Sequence, residues 1–109
     1  MVRSRGLWVS PVEVENAIAG HPAVLEVAVA QGFTKEKLET IKAFVLLKDG
    51  DEPSLQPEAD LRNFLRDMGL AGYKIPETFE FVDELPKTAT GKIQRFILRQ
   101  QERERMGVS

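Results

Sequence analysis

The 109-residue sequence predicts an α+β fold, a small and mostly antiparallel sheet covered by about three helices, in a single domain spanning residues 1–109. Three observations lead there. Short apolar runs of strand type fall at Leu7–Val9, Val24–Ala30, Ile41–Leu47 and Thr78–Val82. Apolar residues recur at helical spacing after Ser10, after Pro57 and after Ile93. The links between these segments are short, and the length suits one hydrophobic core.

In chain order, Leu7-Trp8-Val9 reads as a short strand, and Ser10-Pro11-Val12-Glu13 has the form of a capping box with Pro at the first helical position. The spacing predicts a helix from Pro11, with Val14, Ala17 and Ile18 as its apolar stripe and Gly20 with Pro22 as its stop. Leu25, Val27 and Val29 alternate with Glu26 and Ala28, so a strand follows. The stretch from Gly32 to Lys37 reads as a turn, which pairs that strand antiparallel with a second one inside Leu38–Lys48. Lys48 to Ser54 is polar and reads as a loop. Pro57 to Met68 places Leu61, Phe64, Leu65 and Met68 on one face, and Gly69 follows as a left-handed terminator. Thr78 to Val82 alternates again as a strand. Asp83 to Gly91 is a loop, and a last helix runs from Ile93 to about Arg105.

Composition excludes several functions. Fifteen Lys and Arg against 17 Asp and Glu give a net charge of -2, which disfavours bulk nucleic-acid binding. The absence of cysteine removes disulfides, thiolate metal sites and a Cys nucleophile, and the single His21 cannot build a zinc site, so no metal ligand is assigned. No apolar run approaches the roughly 18 residues of a membrane span, and the N-terminus lacks a signal-peptide layout, so a cytoplasmic protein without membrane contact is expected.

The loop from Leu85 to Arg95 gathers small, polar and cationic residues between a strand and a helix, the setting in which scaffolds present reactive groups. Gly91 lets the backbone approach a ligand, and Lys92 beside it offers a charge on a flexible stem, a pairing that suits an anion. The loop is not a Walker phosphate loop, because the earlier glycine is missing and Ile rather than Ser or Thr follows Gly-Lys. On composition alone such a Gly-Lys is more often a solvated turn than a site.

The whole string Pro86-Lys87-Thr88-Ala89-Thr90-Gly91-Lys92-Ile93-Gln94-Arg95 resembles the C-terminal signature of the adenylate-forming ligase superfamily, Pro-Lys-Thr-x-x-Gly-Lys-Ile-x-Arg. Arg3 to Glu15 resembles a second family stretch, Lys-x-x-Gly-x-x-(Ile/Val)-x-Pro-x-Glu-(Ile/Val)-Glu, in the right order and separation. His21-Pro22-Ala23-Val24 and Gly72-Tyr73-Lys74-Ile75-Pro76 look like further landmarks, so the resemblance covers essentially the whole chain. The wording is most similar to benzoate-CoA and related aryl-CoA ligases.

The resemblance implies the C-terminal domain of an AMP-forming acyl-CoA synthetase, acting on a small carboxylic acid with ATP, coenzyme A and Mg, these being held mainly by a separate N-terminal adenylation domain that is its partner. Lys92 is implied as the catalytic residue, bridging the substrate carboxylate and the α-phosphate, where its ammonium stabilises developing charge. Gly91 borders the same site. After domain rotation, the stretch from Arg3 to Trp8 would border the pantetheine tunnel: Gly6 gives room, and Arg3 or Arg5 meets phosphate or is a surface charge. Trp8 either borders the tunnel or belongs to the core. Tyr73 and Lys74 match positions that contact the nucleotide end of CoA, although Ile75 and Glu77 stand where relatives often carry basic residues. His21 more often ends a helix than catalyses. Alone, the chain is expected to be an inactive part of a larger enzyme, or else a small homologue in its own right. The alternatives are a ligase for fatty acyl or other acids, a non-catalytic interaction domain of the same fold, and a small nucleic-acid binder using Lys87, Lys92, Arg95 and Arg99.

Overall fold

The computed structural model describes residues 2–4, 6–48 and 57–107, and the predicted loop at 48–54 therefore lies almost wholly outside the described residues. The chain runs β1 (Val2–Ser4), β2 (Leu7–Val9), α1 (Pro11–Ala19), β3 (Val24–Phe33), β4 (Glu39–Leu47), α2 (Pro57–Asp67), a 3-10 turn (Gly72–Lys74), β5 (Thr78–Phe81) and α3 (Arg95–Met106). The α+β class with three helices stands as predicted. β1 and β2 form one small antiparallel sheet, and β3, β4 and β5 form a second in that order.

Within the larger sheet β3 and β4 are antiparallel, whereas β5 joins β4 in parallel from Lys42↔Thr78 to Val45↔Phe81. The direction of β5 follows from α2, because a helix inserted between two neighbouring strands carries the chain back to the end from which it started.

Both faces of this sheet are covered, which explains why β3 and β4 are apolar without clean alternation. Val27, Val29, Ile41, Ala43, Val45 and Phe79 face a core shared with Val14 and Ile18 of α1 and Leu61 and Leu65 of α2. On the other face Ala28, Ala30 and Phe44 meet Leu85 and Leu98, with Val82 and Ile93 at the edge. The alanines leave room for α3 to lie close to β3.

The local signals act where they were read. Ser10 caps α1, its hydroxyl accepting from Glu13 N at 3.4 Å. Gly69 has φ +85 just after α2. His21 closes α1, its N–H donating to the Ile18 carbonyl and its Nδ1 accepting from Ala23 N. Gly20 ends α1 as read, staying right-handed at φ -70 with its N–H donating to the Ala17 carbonyl at 3.3 Å. Two readings are corrected, and one strand is added. β3 extends through Gly32 to Phe33, and the turn begins only at Thr34, which accepts from Lys37 N and donates to the Leu38 carbonyl. Ile93 and Gln94 precede α3, because Ile93 bridges to Lys87 and Gln94 N donates to the Pro86 carbonyl. β1 is a strand that sequence periodicity did not reveal, since Val2-Arg3-Ser4 carries a single apolar residue.

Candidate functional site

The signature loop is a small hairpin. Thr88 N donates to the Lys92 carbonyl at 2.8 Å, Gly91 N donates to the Thr88 carbonyl at 2.9 Å, and Lys92 N donates to Thr88 Oγ1 at 3.1 Å. These bonds close a three-residue loop, Ala89-Thr90-Gly91, whose last residue must turn left-handed, and Gly91 has φ +86. Nothing lies within 4 Å of where a Gly91 side chain would begin, so glycine is required by the backbone and not by crowding.

The roots of the hairpin are held on both sides. Leu85 and Leu98 are buried beneath it and Ile93 packs against them. Lys87 is ion-paired with Glu26. Arg95 forms a two-pronged pair with Glu15: its Nε donates to Oε2 at 2.7 Å and its Nη2 to Oε1. Glu15 is buried on α1, and Oε2 also accepts from the outward N–H of Val29 on β3 at 2.7 Å. The hydrogen bond to Glu15 holds the Arg95 guanidinium above its ordinary pKa, against the opposing effect of burial. Lys92 differs from both neighbours: it is exposed, and its ammonium makes no ion pair or hydrogen bond among the described residues. A fixed loop therefore presents one uncompensated cation, preorganised for an anion.

The second group sits on β1 and β2. Arg3 and Trp8 are directly opposed across the strands, and the guanidinium lies 5.2 Å from the indole centroid. Trp8 is 61% exposed, so it is a surface residue and not part of the core. Gly6 turns the hairpin at φ +83 with open space around it. Arg3 and Gly6 share a groove of about 370 Å³ with Thr34, Leu38, Glu39 and Glu77. Arg5 lies outside the described residues.

Tyr73 and Lys74 occupy the 3-10 turn. Tyr73 packs partly buried against the main core, and the Lys74 ammonium sits 2.6 Å from Glu13 and 5.8 Å from the Tyr73 ring centroid. The hydrogen bond to Glu13 raises the Lys74 pKa, so this cation already has a partner. No hydrogen bond, ion pair or ring contact joins Lys92 to Arg3, Gly6, Trp8, Tyr73 or Lys74 among the described residues. Sequence reasoning gave no site role to Glu15, Glu13 or Gln31; both glutamates stand at fixed positions of the second motif, and Glu13 also in the capping box, whereas Gln31 carried no signal. Among the described residues no helix is long and apolar enough to cross a membrane, and no cluster of three His, Cys, Asp or Glu side chains could hold a metal ion.

Comparison with known proteins matches residues 13–92 to the AMP-binding enzyme C-terminal domain. The chain is 48% identical over 99 residues to the benzoate–CoA ligase of Thauera aromatica, covering 91% of this chain and 19% of that protein. It is 40% identical over 105 residues to 4-hydroxybutyrate–CoA ligase 1 of Metallosphaera sedula, covering 96% of this chain and 18% of that one. Among solved structures, the anthranilate CoA ligase AuaEII in complex with anthranoyl-AMP superposes with a TM-score of 0.90 at 44% identity, over 99% of this chain and 21% of that chain. The chain spans about a fifth of the length of these relatives. With a family match that ends on Lys92 and a whole-chain superposition at this identity, the protein belongs to the AMP-binding enzyme C-terminal domain family.

Proposed function

We propose that this chain is the C-terminal catalytic part of an ATP-dependent carboxylate–CoA ligase, working in the cytoplasm with its own N-terminal adenylation domain. The observation that carries the reading is Lys92, the one cation of its loop left unpaired among the described residues while Lys87 and Arg95 are neutralised at the roots. In the first half-reaction a carboxylate oxygen attacks the α-phosphorus of ATP and the bond to pyrophosphate breaks. An ammonium on a fixed hairpin draws the two anions together and stabilises charge on the α-phosphoryl oxygens. In the second, the CoA sulfur attacks the acyl carbon, AMP leaves and the thiol proton passes to water. Arg3, Gly6 and Trp8 offer a cationic, open and aromatic edge for the pantetheine arm, and Tyr73 and Lys74 a contact for the nucleotide end. Mg and ATP fall to the N-terminal domain.

An aryl acid such as benzoate is the preferred substrate on this reading. It is supported by similarity to ligases whose names specify benzoate and anthranilate, although 4-hydroxybutyrate–CoA ligase and an acetyl-coenzyme A synthetase match too. The test joins the chain to its N-terminal domain and follows pyrophosphate release with ATP, Mg and a panel of carboxylates. Lys92→Ala is expected to slow release by about 10² to 10³-fold, as for removal of one stabilising donor, and to spare thioester formation from supplied acyl-AMP. Release indifferent to Lys92 would make this a binding domain of the same fold.

A further inference from the structure

Two projecting hairpins carry the groups assigned above, and each is tied to β3 by a different side chain. The Lys92 hairpin is held at Val29, whose N–H and Arg95 share the Glu15 carboxylate. The β1–β2 hairpin is held two residues further on, at Gln31. Gln31 Oε1 accepts from Arg3 N at 2.8 Å, and Nε2 donates to the Arg3 carbonyl at 2.8 Å and to the Thr40 carbonyl at 2.7 Å.

This bonding has the form of a strand rung. In an antiparallel pair, alternate residues turn their N–H and C=O away from the partner strand. Arg3 faces Trp8 but gives both its main-chain groups to Gln31, which answers them as a neighbouring strand would. The amide orientation follows from the network, because a flipped amide would set its oxygen against two carbonyl oxygens. Three bonds thus fix the height of Arg3 over the sheet, and with it Trp8 opposite and Gly6 at the turn.

We infer that Gln31 is a positioning residue for thioester formation: it seats the edge formed by Arg3, Gly6 and Trp8, while the adenylating Lys92 is seated separately through Glu15. The inference rests on the ligase reading above and adds a residue to it. Because the anchors are separate, loss of Gln31 should uncouple the half-reactions.

The experiment uses the full-length enzyme with Gln31→Met, which keeps the volume and drops all three bonds, and Gln31→Ala. Two rates are measured: pyrophosphate release without CoA, and acyl-CoA formation from supplied acyl-AMP over a range of CoA concentrations. The expected result for both variants is adenylation within twofold of wild type and kcat/KM for CoA lowered tenfold or more. A parallel fall in both half-reactions, or no fall in either, would overturn the inference, the first by making Gln31 merely structural. Wild-type release that ignores Lys92 would instead defeat the ligase reading and this inference with it, an outcome distinguishable because it appears before Gln31 is touched.

Discussion

Lys42 on β4 and Glu102 on α3 form an ion pair in which both side chains are only 6% exposed, and this pair fastens the last helix to the sheet. Glu80 joins Lys42 at 2.9 Å, and Arg105 reaches Glu80 at 2.8 Å and Glu102 at 3.4 Å, so the site holds two cations and two carboxylates. Gly32 makes room for it: a Cβ there would meet the Lys42 Cβ at 2.8 Å. Charges taken out of water cost more to orphan than to replace. Glu102→Ala should therefore destabilise the chain by about 3–5 kcal/mol, whereas Lys42→Met with Glu102→Leu together should be close to neutral. Urea denaturation of the three proteins checks this, and a double variant as unstable as the single one would show that the pair is worth more than its apolar substitute.

The same cluster sets a dependence on acidity. Burial pushes the Glu80 carboxyl upward, but the hydrogen bonds from Lys42 and Arg105 outweigh it and leave its pKa below the ordinary 4.5. A carboxyl with a lowered folded-state pKa adds stability above its unfolded value and loses it as the pH falls through the folded one. The stability difference between wild type and Glu80→Gln should thus be level at neutral pH and shrink below about pH 4.5. Salt should reduce it as well, since Glu80 is partly exposed. Denaturation midpoints from pH 7 to pH 3 provide the measurement, and a difference that ignores pH would remove Glu80 from the account.

Gly91 is strained for any other residue by its dihedral angle alone. Gly91→Ala should cost roughly 1–2 kcal/mol and displace Lys92, whereas Gly91→Asn should cost less because asparagine visits the left-handed region more readily. Thermal unfolding together with pyrophosphate release in the joined enzyme distinguishes the two. Equal behaviour of Ala and Asn would mean that the hairpin relaxes into another turn.

Glu15→Gln tests the other anchor. The amide keeps an acceptor for Val29 but gives up the charged pair with Arg95, so stability should fall by about 1–3 kcal/mol. In the joined enzyme adenylation should fall about tenfold or more while thioester formation from acyl-AMP changes little, the mirror of the Gln31 variants. Loss of both half-reactions together would mean that Glu15 supports the whole domain and not the Lys92 hairpin.

Much of the fold and one end of the candidate site were legible in the sequence because they depend on short spacings. The Ser10 cap, the apolar stripe of α2 and the glycine after it, and the strand runs of β3 and β4 act within a few residues of one another. Gly91 and Lys92 stood out for the same reason, as neighbours in a ten-residue motif. Tertiary structure alone decided the rest. Lys42 lies within a run that reads simply as strand, and only the arrival of α3 makes it a buried charge. Trp8 reads equally well as core or surface until β1 pairs with β2 and leaves it outside. Arg95 meets Glu15 across 80 residues and Gln31 meets Arg3 across 28. Such contacts have no local signature, because a polar side chain gains a partner only when the packing of sheet and helices removes water and brings distant backbone within hydrogen-bonding reach.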